Sequence, residues 1–189
     1  MKYLVTGSAG LIGNQIVHDL EKSGEIVYSS YNNVKPVNGI PIKLNLLNLE
    51  DIRKTFQKIQ PDIIIHSAAL TDVEKCEIEL ELANSINVKA TEVIAKEVEK
   101  TNSYLMYIST DYIFDGKKGL YKETDSINPL NNYGKTKLLG EKIIENNTSK
   151  WSIVRTSTPF GVHSLKKTFP VWVYENLKNN KKINVLEDQ

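Results

Sequence analysis

Short apolar runs alternate along the chain with longer stretches in which apolar residues recur every three or four positions. The short runs predict β-strands, and the longer stretches predict amphipathic helices. The nearly all-apolar run at 62–66 is typical of a strand that is covered on both faces of a parallel sheet. The alternation indicates an α/β fold, a doubly wound parallel sheet with helices on both faces. The predicted strands are 4–6, 25–31, 40–45, 62–66, 104–109 and 152–155, and the predicted helices are Leu11–Lys22, 49–60, 81–100 and 132–146.

A glycine-rich turn lies between the first predicted strand and the first predicted helix. Gly7 permits a tight turn out of the strand, Gly10 lets the backbone approach a pyrophosphate, and Gly13 lets the helix pack closely on the sheet. The start of the helix offers free N–H groups and a positive dipole end to phosphates. Between a strand and a helix, this turn predicts a dinucleotide site. The cofactor-binding residues predicted here are Gly7, Ala9, Gly10, Leu11, Ile12 and Gly13.

The end of the second strand bears on which nicotinamide cofactor binds. A carboxylate there would hydrogen-bond the ribose hydroxyls of NAD, but residues 28–33 read YSSYNN and contain no acid. Ser30 and Asn32 could donate to the 2′-phosphate of NADP, and Lys35 is close in sequence. The pattern favours NADP(H) and leaves NAD(H) open. The alternative that Asn32 and its neighbour are turn residues without a ligand contact also stays open.

The ends of the third and fourth strands carry small and polar residues. Asn45 and Leu46 close the third strand, where the adenine of the cofactor would lie. Ser67, Ala68 and Ala69 close the fourth strand and leave room for the cofactor's phosphates and ribose. We expect all five residues to line the cofactor, although packing alone would also explain the two alanines.

Tyr133 and Lys137 are four residues apart, so they share one face of a predicted helix. A lysine ammonium beside a phenol should lower the phenol's pKa and prepare Tyr133 to transfer a proton. The same lysine could also hold the nicotinamide ribose, so we expect Tyr133 and Lys137 to contact the cofactor as well. Thr110, just after a sheet strand, could hydrogen-bond a substrate oxygen, and Asn87 could relay protons to Lys137. An exposed Asn87 without a role is the alternative. The arrangement predicts reduction of a carbonyl, with Tyr133 as proton donor.

Composition changes this picture little. The chain has 189 residues and a net charge of +1, which gives no electrostatic argument for binding nucleic acid or an anionic membrane. The single cysteine, Cys76, excludes an internal disulfide and fits a reducing compartment. No apolar run is long enough to span a bilayer, and no secretory signal is evident, so we expect a cytoplasmic protein. No His, Cys or Asp spacing indicates a metal site.

Three blocks resemble those of dTDP-4-dehydrorhamnose reductases: HSAALTDVEKCE at 66–77, STDYIFDG at 109–116 and NPLNNYGKTKLLGE at 128–141. The resemblance runs from about residue 2 to the C-terminus. It implies an extended short-chain dehydrogenase with a Rossmann fold, which reduces the C4 ketone of dTDP-4-dehydro-L-rhamnose to dTDP-L-rhamnose with NADPH or NADH. The resemblance also implies the site residues: the catalytic set Thr110, Tyr133 and Lys137, Thr71 beside cofactor and substrate, and Val73, Asp111 and Tyr112 near the substrate.

Two departures from the family pattern affect the substrate assignment. Thr158 stands where the family usually has a tryptophan that contacts the sugar. The chain is also shorter than family members, so we expect an NAD(P)-binding domain at 1–161 and only the start of a truncated substrate lobe at 162–189. Residues 185–189 read like the middle of a longer chain.

Other functions stay open at this point. One is a non-catalytic NADP-binding regulatory subunit that resembles the β-subunit of methionine adenosyltransferase. Another is a different sugar-nucleotide epimerase or dehydratase. The expected partner is a nucleotide sugar, and a homodimer is left open.

Overall fold

The computed structural model describes residues 1–161 and 168–184. The strands of this part of the chain are β1 (Lys2–Thr6), β2 (Ile26–Tyr31), β3 (Ile40–Lys43), β4 (Ile63–His66), β5 (Tyr104–Thr110) and β6 (Trp151–Thr156). They form one parallel sheet in the order β3-β2-β1-β4-β5-β6. The connection reverses direction between β1 and β4, and ligands of such sheets bind beyond the carboxyl ends of the strands at that reversal. The predicted doubly wound parallel sheet is confirmed.

The helices largely follow the predicted pattern. The predicted helix 81–100 is broken by a π-helical turn at Ser85–Lys89, and a short 3₁₀ turn at Asp111–Ile113 follows β5. That 3₁₀ turn, the short helix of residues 73 to 78 and the last helix were not predicted. The helices are α1 (Leu11–Lys22), α2 (Leu49–Ile59), α3 (Val73–Ile78), α4 (Leu80–Asn84), α5 (Ala90–Thr101), α6 (Asn132–Asn147) and α7 (Phe169–Lys178).

Side chains alternate between the two faces of the sheet, and each face has its own apolar core. On one face, residues such as Leu4 and Ile64 pack with α2, α5 and α6. On the other face, Val5 and Ile65 pack with Val17 of α1. Successive residues of β4 thus enter opposite cores, which explains why the run at 62–66 is almost entirely apolar.

The chain divides into two compact units, residues 1–157 and residues 158–189. The first unit holds the whole sheet, and the second holds α7. The sequence-based boundary after Gly161 lies four residues further on, and the predicted second domain falls partly on 162–167 and 185–189, outside the described residues. Among the residues that the structure describes, no helix is long and apolar enough to cross a membrane.

Candidate active site

The glycine-rich turn depends on the absence of side chains at two of its positions. Gly7 has a φ of +67°, and a Cβ there would lie 2.8 Å from the backbone of Ala68. A Cβ on Gly13 would lie 2.3 Å from the carbonyl oxygen of Gly7. The same Cβ would lie 3.0 Å from Ser67 Oγ at the end of β4, so Gly13 lies close both to the turn and to the edge of the sheet. Both glycines fix how closely the helix follows β1.

Helix α1 begins at this turn without a side-chain cap. Gly10 is its N-cap residue, and no acidic residue lies in the first turn. The amide of Gly10 donates to the carbonyl of Gly7 over 2.9 Å, which holds the turn closed. Ala9, Leu11 and Ile12 are partly exposed around it. The first N–H groups of α1 thus lack a side-chain partner, as an anion-binding helix start requires.

The two residues predicted beside the adenosine ribose differ in exposure. Ser30 is buried at the end of β2, and its carbonyl accepts hydrogen bonds from Ser8 Oγ at 2.7 Å and from Ser8 N at 3.3 Å. Its backbone thereby joins β2 to the glycine-rich turn. Asn32 is exposed. Only Asn32 of the two presents its side chain to solvent at this end of the strand.

The ends of β3 and β4 are arranged around the same edge of the sheet. Asn45 and Leu46 are partly exposed just after β3, and the Asn45 side chain accepts from the amide of residue 47 at 3.0 Å. Ser67 Oγ donates to the carbonyl of Thr6 at 2.6 Å, and Ala68 packs against Gly7. Further residues of this region that remain at least partly exposed are Ala69, Thr71 and Val73.

Helix α6 brings Tyr133 to this edge of the sheet. Its N-terminus is held by Asn131, whose side chain accepts from the amide of Gly134 at 2.8 Å, and by Glu77, which accepts from the amide of Asn132 at 2.7 Å. A Cβ on Gly134 would lie 2.2 Å from the carbonyl oxygen of Tyr112. Neither Gly134 nor Glu77 was predicted as a site residue from the sequence. Together they fix α6 against the 3₁₀ turn and against α3.

Tyr133 lies beside two of the residues predicted to act with it. Its ring contacts the ring of Tyr112 edge-on, with 5.7 Å between centroids, and Tyr112 is 41% exposed. Thr110 is buried, and its hydroxyl donates to Asp111 Oδ1 and accepts from the amide of Tyr112, both at 3.2 Å. Hydrogen bonding by Thr110 acts on the Tyr133 phenol as well. Thr110, Asp111, Tyr112 and Tyr133 therefore form one group.

The expectation that Lys137 lowers the pKa of Tyr133 is wrong for this structure. Burial raises the pKa of Tyr133 above its ordinary value, Thr110 opposes the shift, and Lys137 is not among its causes. The ammonium of Lys137 instead donates to the carbonyl of Ile108 at 2.7 Å and lies 3.8 Å from the ring centroid of Tyr107. Burial also lowers the pKa of Lys137 to about 7, so the side chain carries only part of its charge at neutral pH.

Asn87 is fully buried in the π-helical turn, so the alternative of an exposed Asn87 is wrong. Its Oδ1 accepts from the amide of Leu70 at 2.8 Å, and its Nδ2 donates to the Leu70 carbonyl at 3.1 Å and to Thr136 Oγ1 at 3.0 Å. The hydroxyl of Thr136 donates in turn to the carbonyl of Tyr133. Asn87 thereby fastens the loop after β4 to α6.

A chain of buried hydrogen bonds continues from Asn87 to the cofactor side of the sheet. Thr91 donates to the carbonyl of Asn87 at 2.8 Å and contacts His66 Nε2 at 3.1 Å, while His66 Nδ1 lies 2.7 Å from the hydroxyl of Thr6. The amide of Ala68 donates to that same hydroxyl. This pattern of donors and acceptors places the imidazole proton on Nε2. Burial lowers the pKa of His66 to about 3, so the ring is neutral at neutral pH.

A second buried hydrogen-bond network, centred on Glu141, was not predicted from the sequence. The carboxylate of Glu141 accepts from both Arg155 Nε at 3.1 Å and Arg155 Nη2 at 2.8 Å, and also from Ser109 Oγ at 2.5 Å. Glu141 lies one turn after Lys137 on α6, Arg155 lies on β6, and Ser109 precedes Thr110 on β5. Glu141 therefore ties α6 to β5 and β6.

Comparisons with known proteins find matches along most of the chain. A family model described as the RmlD substrate binding domain matches residues 1–189. The dTDP-4-dehydrorhamnose reductase of Salmonella typhimurium is 35% identical over 181 residues, which cover 95% of this chain and 54% of the relative. Methionine adenosyltransferase 2 subunit beta of Danio rerio is 37% identical over 161 residues, or 85% of this chain and 48% of the relative. The chain thus spans about half the length of these two proteins.

A solved structure is also similar. The dTDP-4-dehydrorhamnose reductase of Bacillus anthracis, in complex with NADP, superposes with a TM-score of 0.82 at 30% identity. The superposition covers 94% of this chain and 60% of that one. The sequence resemblance stated above is confirmed by these matches.

Proposed function

The chain belongs to the family of the RmlD substrate binding domain, and from this premise we propose that it takes part in the NADPH-dependent reduction of a nucleotide-sugar ketone. The substrate proposed is dTDP-4-dehydro-L-rhamnose, reduced at C4 to dTDP-L-rhamnose. The observation that carries the proposal is the grouping of Thr110, Tyr112 and Tyr133 beyond the carboxyl end of β5, at the edge of the sheet where the glycine-rich turn also lies. The proposed division of labour is a cofactor domain at 1–161 and the beginning of a substrate lobe at 162–189.

The residues of the glycine-rich turn fit the pyrophosphate of a dinucleotide. A Cβ at Gly7 or Gly13 would fill space that the backbone now occupies, and α1 begins with unpartnered N–H groups. We assign the adenosine end to Asn32, Asn45 and Leu46, and the phosphates and ribose to the loop after β4. The absence of a carboxylate at the end of β2 and the NADP bound by the Bacillus anthracis relative support NADPH, with NADH as the second choice.

The nicotinamide, when bound, supplies a hydride to the ketone carbon. Tyr133 donates its phenolic proton to the ketone oxygen. The single O–H of Thr110, which donates to Asp111 in this structure, turns to that oxygen and holds it by a hydrogen bond. The raised pKa of Tyr133 keeps the phenol protonated at neutral pH, as a proton donor must be. Lys137 holds the ribose of the cofactor. Asn87 holds the Leu70 loop against α6, and this is the support that we assign to it in place of direct proton transfer.

The substrate side lies along the exposed residues near Tyr133. Tyr112 is 41% exposed and contacts the Tyr133 ring, and Asp111 accepts from Thr110. Thr71 and Val73 follow the loop that Asn87 fastens. A sugar whose C4 oxygen reached Tyr133 would lie among these four residues.

The test is the Tyr133→Phe variant, which keeps the ring and removes the proton. We expect NADPH oxidation to fall by about a hundredfold or more, since proton transfer by a placed side chain contributes on that order. NADPH binding, followed by quenching of intrinsic fluorescence, should stay within about twofold of the unmodified protein. Tyr104→Phe at the opposite end of β5 is the matched control. Equal turnover in Tyr133→Phe would eliminate the proton-donor role.

A regulatory function is the second candidate, because the Danio rerio methionine adenosyltransferase subunit is as similar as the reductases and Thr158 replaces the family's tryptophan. That function predicts NADPH binding with no turnover of any nucleotide sugar. An epimerase or dehydratase would act on a nucleotide sugar without net consumption of NADPH. Measuring cofactor binding, cofactor oxidation and sugar product in one sample separates the three functions.

A further inference from the structure

The Lys137 ammonium has an unusual set of contacts for a buried charge. The residue is 2% exposed, yet its described contacts are one carbonyl, that of Ile108, and the face of the Tyr107 ring. A lysine ammonium carries three N–H donors, and a cation over an aromatic face is attracted by the ring's negative quadrupole. At 3.8 Å from the centroid, the ammonium is well inside the distance over which this attraction acts.

The Tyr107 ring is held rigidly by its surroundings. It is 1% exposed, and the His66 ring packs against it with 5.5 Å between centroids. A Cβ on Gly140 would lie 2.4 Å from the Tyr107 hydroxyl, so the glycine on α6 makes room for the ring. Among the described residues, the Tyr107 hydroxyl makes no well-formed hydrogen bond, and Thr91 is the one side chain whose hydrogen bonding acts on it. The contact that Tyr107 makes with the site is therefore the one between its ring and the Lys137 ammonium.

We infer that Tyr107 is a positioning residue whose ring face holds the ammonium of Lys137 at the site. The inference rests on the proposed function only for what Lys137 does there, which is to hold the cofactor ribose. The ring stabilises the charged form of a side chain that burial would otherwise discharge, and it leaves N–H donors of the ammonium for a ligand.

Of the charged and titratable groups around Lys137, only Glu141 favours its ammonium, and it does so from a distance. Glu141 lies one helical turn away and favours the ammonium, but Arg155 and Ser109 already occupy its carboxylate. His66 on β4 is neutral, with its pKa lowered to about 3. Tyr133 on α6 has a raised pKa and is uncharged at neutral pH. Within the described residues, no carboxylate contacts Lys137 Nζ directly, so its close contacts with negative potential are the Ile108 carbonyl at 2.7 Å and the face of the Tyr107 ring at 3.8 Å.

The test varies the ring's electrostatics while keeping its shape. Phenylalanine, 4-fluoro-, 3,5-difluoro- and 3,4,5-trifluorophenylalanine are placed at position 107 of the full chain, since each fluorine weakens the negative face. The pKa of Lys137 is read from the ¹³Cε resonance of labelled lysine without any ligand, and Lys137→Met identifies the signal. We expect the pKa to fall stepwise along the series by about one unit in total, a tenfold change in the protonation equilibrium.

The same four residues placed at Tyr104, a tyrosine at the exposed end of β5, should leave the Lys137 titration unchanged. An identical Lys137 pKa across the position 107 series would overturn the inference. The proposed function fails separately, because the titration needs neither cofactor nor substrate. A stepwise titration in a protein that turns over no nucleotide sugar would support the role of Tyr107 and refute the reductase. A flat titration in an active reductase would do the reverse.

Discussion

Replacement of Asn87 by leucine tests whether this side chain fastens the Leu70 loop to α6. Leucine has nearly the same shape, so the change removes three hydrogen bonds without opening a large cavity. The two backbone groups of Leu70 and the hydroxyl of Thr136 each lose a partner.

The expected cost follows from those three bonds. A buried hydrogen bond contributes about 1 kcal/mol net, and a buried group left without a partner costs about 1–3 kcal/mol. Leu70 is only partly buried, so water can reach its backbone, and the lower figure applies to each bond. We therefore expect Asn87→Leu to reduce the free energy of unfolding by about 3 kcal/mol.

Urea denaturation followed by circular dichroism measures this change. With a slope of about 2 kcal/mol per molar urea, the midpoint should fall by about 1.5 M at an unchanged slope. Asn146→Leu on the exposed face of α6 is the control and should move the midpoint little. A loss below about 1 kcal/mol in Asn87→Leu would refute the fastening role, because it would mean that water or a neighbour replaces all three bonds.

Two further predictions concern the glycine-rich turn and the buried histidine. Gly13→Ala should weaken NADPH binding by about tenfold or more, because its Cβ would lie 2.3 Å from the Gly7 carbonyl oxygen and must displace the turn. The control is Gly24→Ala, whose added Cβ has no atom within 4 Å. It should lower the free energy of unfolding because of its φ of +78°, but leave NADPH affinity unchanged. Equal NADPH affinities in the two variants would contradict the prediction. His66 has a pKa of about 3 in the folded protein, against an ordinary 6.5. Between these two values the unfolded chain binds a proton that the folded protein does not. The contribution of His66 to the free energy of unfolding is therefore complete above pH 6.5 and is lost as the pH falls towards 3. Relative to His66→Gln, the unmodified protein should lose about 1.4 kcal/mol per pH unit between pH 6 and 4 in urea titrations, and parallel pH curves would show that His66 does not titrate this way.

Much of the fold could be predicted because the helix-end residues and the apolar patterns of the sequence agree with the helices and strands of the folded chain. Helix α1 matches its prediction at both ends, since Gly10 opens it and a Ser-Gly pair closes it. The apolar run at 62–66 predicted a strand buried on both faces, and β4 contributes to both apolar cores. Helix α3, by contrast, has a single turn of apolar pattern and is held by the side-chain cap of Asp72 and by tertiary contacts. The π-helical turn at Ser85–Lys89 has no periodicity of its own, so sequence patterns could not reveal it.

Those parts of the candidate site could be predicted whose residues lie close together in the sequence, because their spacing alone determines how they are arranged. The glycine spacing located the turn, and the four-residue spacing located Tyr133 and Lys137 on α6. What lay beyond prediction depends on contacts between distant segments: the Tyr107 ring beneath Lys137, and the pairing of Glu141 with Arg155. The pKa of Tyr133 was predicted in the wrong direction because its burial, and the contacts of Lys137 with β5, are set by tertiary packing.

The most direct test of the proposed reduction is NADPH oxidation on addition of dTDP-4-dehydro-L-rhamnose, with NADPH binding and dTDP-L-rhamnose formation measured in the same sample. We expect the protein to oxidise NADPH in equal amount to the dTDP-L-rhamnose formed, and Tyr133→Phe to bind NADPH but to form product at a rate lower by about a hundredfold or more. Tight NADPH binding by the unmodified protein, with neither oxidation nor product, would contradict the account and favour the regulatory function.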